Sequence, residues 1–215
     1  MSALRVYSIF RSLQGESTRA GLPCVFVRLA GCTVGCLFCD TRDAAVSSGR
    51  VMTIDEILQQ VSAFGCPLVE VTGGEPLEQP SVHALLSTLC DTSGDVLLET
   101  SGAYPIDEVD ARVRVVMDVK TPSSGVAHRF LDRNIDEIRR RRGEVKFVIS
   151  DQADFDFAVE RAVQWNLVES NPVLISPAAG FDAAVVARWI LDSGLHLRLQ
   201  LQLHRVLWPD VQGDI

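Results

Sequence analysis

The chain has 215 residues, of which 47% are hydrophobic and 22% are charged, and its formal net charge at pH 7 is −8. This composition is typical of a globular protein that is long enough to bury a substantial core without disulfide bonds. The acidic balance argues against general nucleic-acid binding, because a phosphate backbone requires a basic surface.

Short apolar segments typical of buried strands alternate with helical patterns along the chain. The predicted strands are Cys24–Leu29, Leu68–Thr72, Val96–Glu99, Val113–Asp118, Val145–Ile149, Val173–Ser176 and a partly alternating segment, His196–Leu203. The predicted helices are Thr53–Ala63, which opens with a capping box, Ser81–Cys90, Phe155–Trp165 and Asp182–Asp192. This alternation favours an α/β fold around a mostly parallel sheet, and no linker divides residues 1–215 into separate domains.

Five predicted strands end in polar or glycine-rich tips. The first runs into a cysteine-rich loop, and the others end in Gly73-Gly74-Glu75-Pro76, Thr100-Ser101-Gly102, Asp118-Val119-Lys120-Thr121 and Ser176-Pro177. Active sites of α/β folds collect at the carboxyl ends of the strands, so these tips predict one shared ligand-binding face. Glycines at such a tip let the backbone approach a ligand closely, although a tight turn alone would also explain the pair.

Cys32, Cys36 and Cys39 have the spacing Cys-x3-Cys-x2-Cys, with no fourth ligand nearby. A structural zinc site and an ordinary four-iron cluster both need four protein ligands. Three thiolates would leave one iron open to bind a small molecule. The alternative is a zinc loop that a distant residue, such as His204, completes.

The remaining cysteines and the basic run have plainer interpretations. Cys24, Cys66 and Cys90 lie in apolar segments, where we expect buried small hydrophobic side chains. Arg139–Arg142 is expected to end a helix and face solvent, with phosphate binding as the alternative. The N-terminus has no signal-peptide core and no apolar run is long enough to span a membrane, so we expect a cytoplasmic protein with reduced thiols.

The cysteine loop, with Phe38 before its last cysteine, resembles the signature of the radical S-adenosylmethionine superfamily. There the three cysteines hold a [4Fe-4S] cluster, and S-adenosylmethionine chelates the fourth iron. The Gly73–Pro76 segment is similar to the one that receives the methionine amino group. Further segments, in order, resemble the 7-carboxy-7-deazaguanine synthase family over nearly the whole chain: Ile9–Glu16, Cys39–Thr41, Thr72–Leu77, Glu99–Gly102, Asp118–Pro122, Glu144–Ile149 and Gln200–Trp208.

The family resemblance implies a shortened, partial β/α barrel, a homodimer and a magnesium ion beside the substrate. It implies a lyase of queuosine and deazapurine biosynthesis that contracts the ring of 6-carboxy-5,6,7,8-tetrahydropterin to give 7-carboxy-7-deazaguanine and ammonia. An external one-electron reductant, such as a flavodoxin-like protein, would start the radical reaction, and no side chain is required as a nucleophile. The alternatives are a radical enzyme that activates a partner protein and a zinc-stapled binding module without chemistry.

The same resemblance assigns the site residues. Thr41 would bind magnesium, Arg28 the substrate carboxylate and Thr72 the pterin ring. The S-adenosylmethionine pocket would be lined by Phe38, Cys39, Asp40, Gly74, Glu75, Ser101, Asp118, Val119, Lys120, Ser176, Pro177, Ala178 and Ala179. The other substrate residues would be Leu13, Gln14, Gly15, Glu16, Gln202 and His204.

Three of these residues also have structural interpretations. Arg28 would form a surface ion pair, Glu16 would cap a turn, and His204, which we expect on the last strand with Gln202, would be a packed core histidine. The chain departs from the family at Ser17, where a glycine is common, and at Val126, where an acidic residue is common. The tail, residues 209–215, would close over the substrate or be disordered.

Overall fold

The computed structural model describes residues 2–211, and within them nine strands form one sheet. The strands are β1 (Ala3–Leu13), β2 (Pro23–Leu29), β3 (Arg50–Thr53), β4 (Leu68–Gly73), β5 (Asp95–Thr100), β6 (Arg114–Asp118), β7 (Glu144–Ile149), β8 (Val173–Pro177) and β9 (Arg198–Leu199). Their order is β3-β1-β2-β4-β5-β6-β7-β8-β9. β1 is antiparallel to β2 and β3, and every other neighbouring pair is parallel. This open, mostly parallel sheet confirms the predicted partial β/α barrel.

All but the last of the described helices connect strands, and three of them begin at a side chain that caps the helix. They are α1 (Arg42–Val46), α2 (Ile54–Ala63), α3 (Val82–Thr92), α4 (Asn134–Arg141), α5 (Gln152–Gln164), α6 (Ala183–Ser193) and α7 (Leu203–Leu207). Thr53 and Glu56 form the capping box predicted for α2. Asp182 caps α6, and Gly194 ends it with φ at 64°.

Strand alternation gives the sheet two chemically different faces. One set of alternating residues, such as Val27, Val71 and Phe147, is buried in the main hydrophobic core with the helices. On the opposite, inner face a small apolar cluster lies near the strand starts, at Cys24 and Phe26 among others. Charged and polar residues follow it towards the strand ends, so the candidate site lies on the face away from the helices.

The sequence located six of the strands to within one residue and missed two others, β1 and β3. The first predicted strand begins at Cys24, yet β1 already occupies Ala3–Leu13. Its alternation of exposed and buried residues breaks at an irregular register between Val6 and Ser8, which hides the period of two.

Two further expectations were wrong. The predicted strand His196–Leu203 shrinks to β9, and His204 lies in α7 instead of on a strand. The arginine run does end a helix and Arg139, Arg140 and Arg142 are exposed, so the expected exposure is wrong for Arg141 alone. Its side chain is only 4% exposed and donates hydrogen bonds to the carbonyls of Ile106, Val109 and Asp110. Buried carbonyls without partners are costly, which explains why this arginine faces inward.

Cys24 is buried, and Cys66 and Cys90 are partly buried against the core, in agreement with their interpretation as small apolar residues. In the described part of the chain, no helix has the length and apolar character needed to cross a membrane. Of the predicted tail, residues 212–215 lie outside the described residues.

Asn134 at the start of α4 fixes the loop that follows β5. Its amide donates hydrogen bonds to the carbonyls of Gly102 (3.0 Å) and Tyr104 (2.8 Å) and accepts one from the Ile106 amide at 3.3 Å. Asn134 is only 1% exposed, so water cannot replace these hydrogen bonds.

We therefore expect Asn134→Ala to lower the free energy of unfolding by about 3 kcal/mol, since it leaves buried backbone groups without partners. Urea denaturation of the metal-free chain measures this effect. Gln60→Ala on the exposed side of α2 is the control and should change stability by less than about 0.5 kcal/mol. Equal stability of the two variants would contradict the assigned role.

Candidate functional site

Seven polar side chains project from the inner face of the sheet near the strand ends. They alternate with core residues, and Arg28 on β2 is the register partner of Thr72 on β4. The set consists of Arg28, Glu70, Thr72, Glu99, Asp118, Lys146 and Ser176. The parallel arrangement thus brings residues from six strands to one surface.

Lys146 is the centre of this surface. Its side chain is 4% exposed, and its ammonium nitrogen lies 2.5 Å from a carboxylate oxygen of Glu16 and 3.4 Å from Asp118. It also donates a hydrogen bond to Glu99. Burial disfavours the ammonium, but the three carboxylates outweigh it and raise the pKa of Lys146 well above its usual value. Lys146 therefore stays charged and holds the three carboxylates together.

Glu70 lies deeper on the same face and accepts a hydrogen bond from the Gln14 side-chain amide. Burial, reinforced by the charges of Glu99 and Glu16, raises the pKa of Glu70 well above its usual range. A carboxyl group in such surroundings is favoured in its neutral form.

The segment after β1 and the segment after β9 meet over this face. The Leu203 amide donates to the Gly15 carbonyl at 3.0 Å, and the Gln202 side chain donates to Glu16 at 2.8 Å. A β-carbon on Gly15 would lie 2.7 Å from Nδ1 of His204, so a larger residue there would displace the His204 ring. Burial and the neighbouring Arg205 lower the pKa of His204.

These contacts bring together substrate residues that were predicted from distant parts of the sequence. The Gln202 amide also lies 3.5 Å from Asp40, which joins the group to the cysteine loop. Arg28 is held on the same face with its guanidinium 5.6 Å from the Phe10 ring centroid. Leu13 lies at the edge, where it lines a surface cavity of about 430 Å³ with Trp208.

The cysteine loop leaves the end of β2 and is tied to α1. Gly31 and Cys32 donate backbone hydrogen bonds to Ala44 (2.9 Å) and Ala45 (3.1 Å). The three cysteines are half-buried free thiols, and burial raises the pKa of Cys32 and Cys36. Thiolates in this environment need a cationic partner, and cluster irons provide one. Among residues 2–211, no three histidine, cysteine or acidic side chains converge closely enough to hold a single metal ion.

Thr41 follows this loop directly. Its hydroxyl lies 3.8 Å from the Cys39 sulfur and makes no capping hydrogen bond to α1. The hydroxyl therefore lies beside the cysteine loop, and its role as a magnesium ligand stays a prediction.

The glycine pair after β4 packs directly on the start of the cysteine loop. A β-carbon on Gly74 would lie 1.9 Å from the Gly31 carbonyl oxygen. The Glu75 amide donates to that same oxygen at 3.0 Å, so the two strand tips are in backbone contact. The pair is thus required by close packing between strand tips, whatever ligand it also meets.

Glu75 performs a structural task in addition to its predicted one. Its carboxylate accepts hydrogen bonds from the Thr100 hydroxyl (2.8 Å) and from the Ser101 amide (2.9 Å). Burial raises its pKa, and the Ser101 hydrogen bonds oppose that shift. Glu75 therefore fixes the tip of β5, and its contact with S-adenosylmethionine stays a prediction.

Two buried polar atoms at the remaining tips fit a ligand. One carboxylate oxygen of Asp118 and the hydroxyl of Ser176 are buried, and within the described chain neither has a hydrogen-bond partner. The other Asp118 oxygen accepts from Lys120 at 2.8 Å. Such orphaned groups need polar partners, and a bound S-adenosylmethionine would supply them. The Val119 side chain is 1% exposed in the core, so any contact there uses its backbone.

No role was predicted from the sequence for Glu70, Glu99 or Lys146. A signal was present, because each is a charged residue inside an apolar strand. Ser17, where the family commonly has glycine, has a φ of 64°. This is a left-handed conformation that glycine adopts most easily.

Comparisons with known proteins agree with this geometry. Residues 27–150 match the radical SAM superfamily. The chain is 44% identical to the 7-carboxy-7-deazaguanine synthase of Chlorobaculum tepidum over 98% of this chain and 97% of that protein. The crystal structure of QueE from Escherichia coli superposes with a TM-score of 0.73 at 22% identity, covering 93% of this chain and 94% of that one. Streptococcus suis SuiB bound to S-adenosylmethionine has a TM-score of 0.60 at 15% identity, covering 86% and 51% of the two chains.

Gly74→Ala should displace the cysteine loop, because its β-carbon would overlap the Gly31 carbonyl and overpacking of this kind costs about 1–3 kcal/mol. We expect the iron bound per chain after anaerobic reconstitution to fall to a minor fraction of the wild-type value. Gly65→Ala is the control: its φ of 58° makes alanine unfavourable, but its β-carbon meets nothing within 4 Å. Equal iron content in both variants would contradict the packing argument.

Glu70→Gln should stabilise the chain increasingly as pH rises. The raised pKa of Glu70 means that the folded state keeps a proton that the unfolded state loses above 4.5, so wild-type stability falls with pH and the glutamine variant escapes this loss. Urea denaturation at about pH 5 and about pH 8 measures the difference. Glu137→Gln is a control of opposite sign, because a hydrogen bond from Arg140 lowers the pKa of Glu137. A Glu70→Gln effect that is independent of pH would show that Glu70 is ionised in the fold.

Proposed function

We infer the activity of this chain from one premise, that it belongs to the 7-carboxy-7-deazaguanine synthase family within the radical SAM superfamily. It catalyses the radical-mediated ring contraction of 6-carboxy-5,6,7,8-tetrahydropterin to 7-carboxy-7-deazaguanine. One pterin gives one deazaguanine and one ammonia, so the overall reaction consumes no oxidant. This is a carbon–nitrogen lyase step on the route to queuosine and related deazapurines.

One observation supports this activity above all others. The cysteine loop, the Gln14–Glu16 segment and the Gln202–His204 segment meet at one polar face, although up to 186 positions separate the contacting residues. A radical-forming cofactor must lie beside its substrate, and this convergence would make the two adjacent. A binding module stapled by zinc would have no use for the buried charges of that face.

Cys32, Cys36 and Cys39 would hold the [4Fe-4S] cluster. When bound, the cluster and S-adenosylmethionine supply the electron and the radical that begin the reaction. The tips of β4, β5, β6 and β8 would hold S-adenosylmethionine, with Asp118 and Ser176 offering the polar atoms that lack partners. Phe38, Asp40, Gly74, Glu75, Ser101, Val119, Lys120, Pro177, Ala178 and Ala179 complete the proposed pocket.

The substrate would lie on the inner face below the cofactor. Arg28 pairs with the substrate carboxylate, since a guanidinium presents two parallel donors to it. Thr72, beside Arg28 in the sheet register, contacts the ring. Glu16, held by Lys146 and Gln202, presents a carboxylate to the guanidine-like edge of the pterin. Leu13, Gln14, Gly15 and His204 close the site.

The remaining parts of the proposal rest on the family. Thr41 provides a hydroxyl oxygen of the kind that Mg²⁺ prefers, with substrate and water completing the coordination. The chain works as a cytoplasmic homodimer and receives its electron from an external reductant such as a flavodoxin-like protein. The product is released to later enzymes of deazapurine synthesis.

The test is incubation of the reconstituted chain with the carboxytetrahydropterin, S-adenosylmethionine, Mg²⁺ and dithionite under anaerobic conditions. We expect one deazaguanine per pterin consumed, identified by mass spectrometry. Arg28→Met should lower kcat/KM for the pterin by roughly 100-fold, because it leaves the substrate carboxylate without its charged partner. Arg188→Met on the exposed side of α6 is the control and should leave turnover unchanged.

Two results would count against the proposal. Reductive cleavage of S-adenosylmethionine without any deazaguanine would refute the substrate and leave the radical chemistry standing. If Arg28→Met lowers pterin turnover and cleavage of S-adenosylmethionine without substrate to the same extent, Arg28 supports the cofactor and not the pterin carboxylate.

A further inference from the structure

The turn between Cys32 and Cys36 is held by a side chain from a distant loop. Arg129 belongs to a 3₁₀ turn, Ala127–Arg129, which follows β6. One nitrogen of its guanidinium donates hydrogen bonds to two successive carbonyls of the cysteine loop, those of Thr33 and Val34, the second at 3.1 Å. These carbonyls lie inside the spacer that separates the first two cysteines.

The same turn is bound from its other side by an anion. Glu78, in the 3₁₀ turn after β4, accepts hydrogen bonds from the Thr33 amide at 2.6 Å and from the Thr33 hydroxyl at 2.8 Å. A cation and an anion from two different strand tips therefore hold one residue of the loop. Within the described chain, these hydrogen bonds of Arg129 and Glu78 go to Thr33 and Val34 and to no residue of the proposed S-adenosylmethionine pocket.

The loop around Arg129 also holds the second half of the cysteine motif. The Leu37 amide donates to the Ser124 carbonyl at 3.0 Å, and Gly125 leaves room for the Leu37 side chain, which would lie 3.0 Å from a β-carbon there. The segment 124–129 thus contacts the spacers on both sides of Cys36. Movement of this segment would change the separation of all three cysteines.

We propose that Arg129 is a positioning residue for the cluster. It keeps Cys32 and Cys36 at the spacing that the irons require, and it holds a fixed positive charge on the turn between them. A guanidinium suits this task because it stays charged and one of its nitrogens carries two N–H groups, which donate to the two carbonyls. A lysine keeps the charge but presents its donors from a shorter, non-planar group. The inference rests on the cluster of the proposed function and is independent of the pterin.

The two charges make opposite contributions to the cluster. Reduction adds an electron, so a nearby cation favours the reduced form and a nearby anion disfavours it, as the net charge around a cluster sets its potential. Loss of Arg129 should therefore lower the reduction potential, and loss of the Glu78 charge should raise it. Both losses should loosen the loop. A purely structural role predicts no such opposition of sign.

The experiment compares Arg129→Met, Arg129→Lys and Glu78→Gln with the wild-type chain after anaerobic reconstitution. Two quantities are measured: the rate of iron transfer to a ferrous chelator, and the midpoint potential of the cluster in an EPR-monitored titration. We expect Arg129→Met to release iron about tenfold faster, since it loses two charge-assisted hydrogen bonds. Its midpoint should fall, Arg129→Lys should keep most of the potential but release iron at an intermediate rate, and Glu78→Gln should raise the midpoint.

Arg139→Met, an exposed position on α4, is the matched control and should behave like wild type in both measurements. Equal iron release from Arg129→Met and Arg139→Met would overturn the proposal, as would midpoints that move in the same direction for Arg129→Met and Glu78→Gln. If Arg129→Met does not fold as the metal-free chain, Arg129→Gln, which also removes the charge, takes its place in the comparison with Glu78→Gln. Failure of the wild-type chain to take up iron would instead refute the cluster, a different result from equal rates.

Discussion

The buried ammonium of Lys146 is the interaction on which the inner face of the sheet depends. Carboxylates removed from water are costly unless they are paired, and Glu16, Glu99 and Asp118 all lie against this one cation. The three come from the loop after β1, from β5 and from β6, so the same contacts also bind separate parts of the fold to β7. A hydrophobic residue at position 146 would leave three largely buried acidic groups facing each other without the cation that they share.

The rim of the site is organised by a different principle, close contact between backbones. The tip of β4 presses against the start of the cysteine loop so tightly that a β-carbon on Gly73 would lie 2.2 Å from the Leu29 carbonyl oxygen. The cysteine loop has little regular structure, and it receives its shape from backbone bonds to α1 and from Arg129, Glu78 and Ser124. A loop shaped in this way depends on three neighbouring elements, which explains why its cysteines need so little local secondary structure.

The sequence predicted the parts of the molecule whose signals are local. Apolar strands, capping residues and the cysteine spacing lie within a few positions of one another, and six strands and the caps at Thr53 and Asp182 were found from them. β1 was missed because its irregular register interrupts the alternation, and α7 because a five-residue helix is too short to show a period. The role of Lys146 could not be predicted either, since its partners lie 28 to 130 positions away in the sequence and only the folded sheet brings them together.

Carboxyl groups outnumber cations around Lys146, and this excess, together with burial, favours the neutral form of Glu70. Four carboxyl groups, those of Glu16, Glu70, Glu99 and Asp118, meet three cations, those of Arg28, Lys120 and Lys146. Burial raises the pKa of Glu70 well above its usual value and also raises that of Glu16, so this face favours a proton, above all on Glu70. An arriving substrate carboxylate then adds one negative charge at the edge of the face. If Arg28 binds that carboxylate, as proposed, the added charge has its own partner, and the ion pairs around Lys146 would form a fixed polar environment of the kind that favours catalysis.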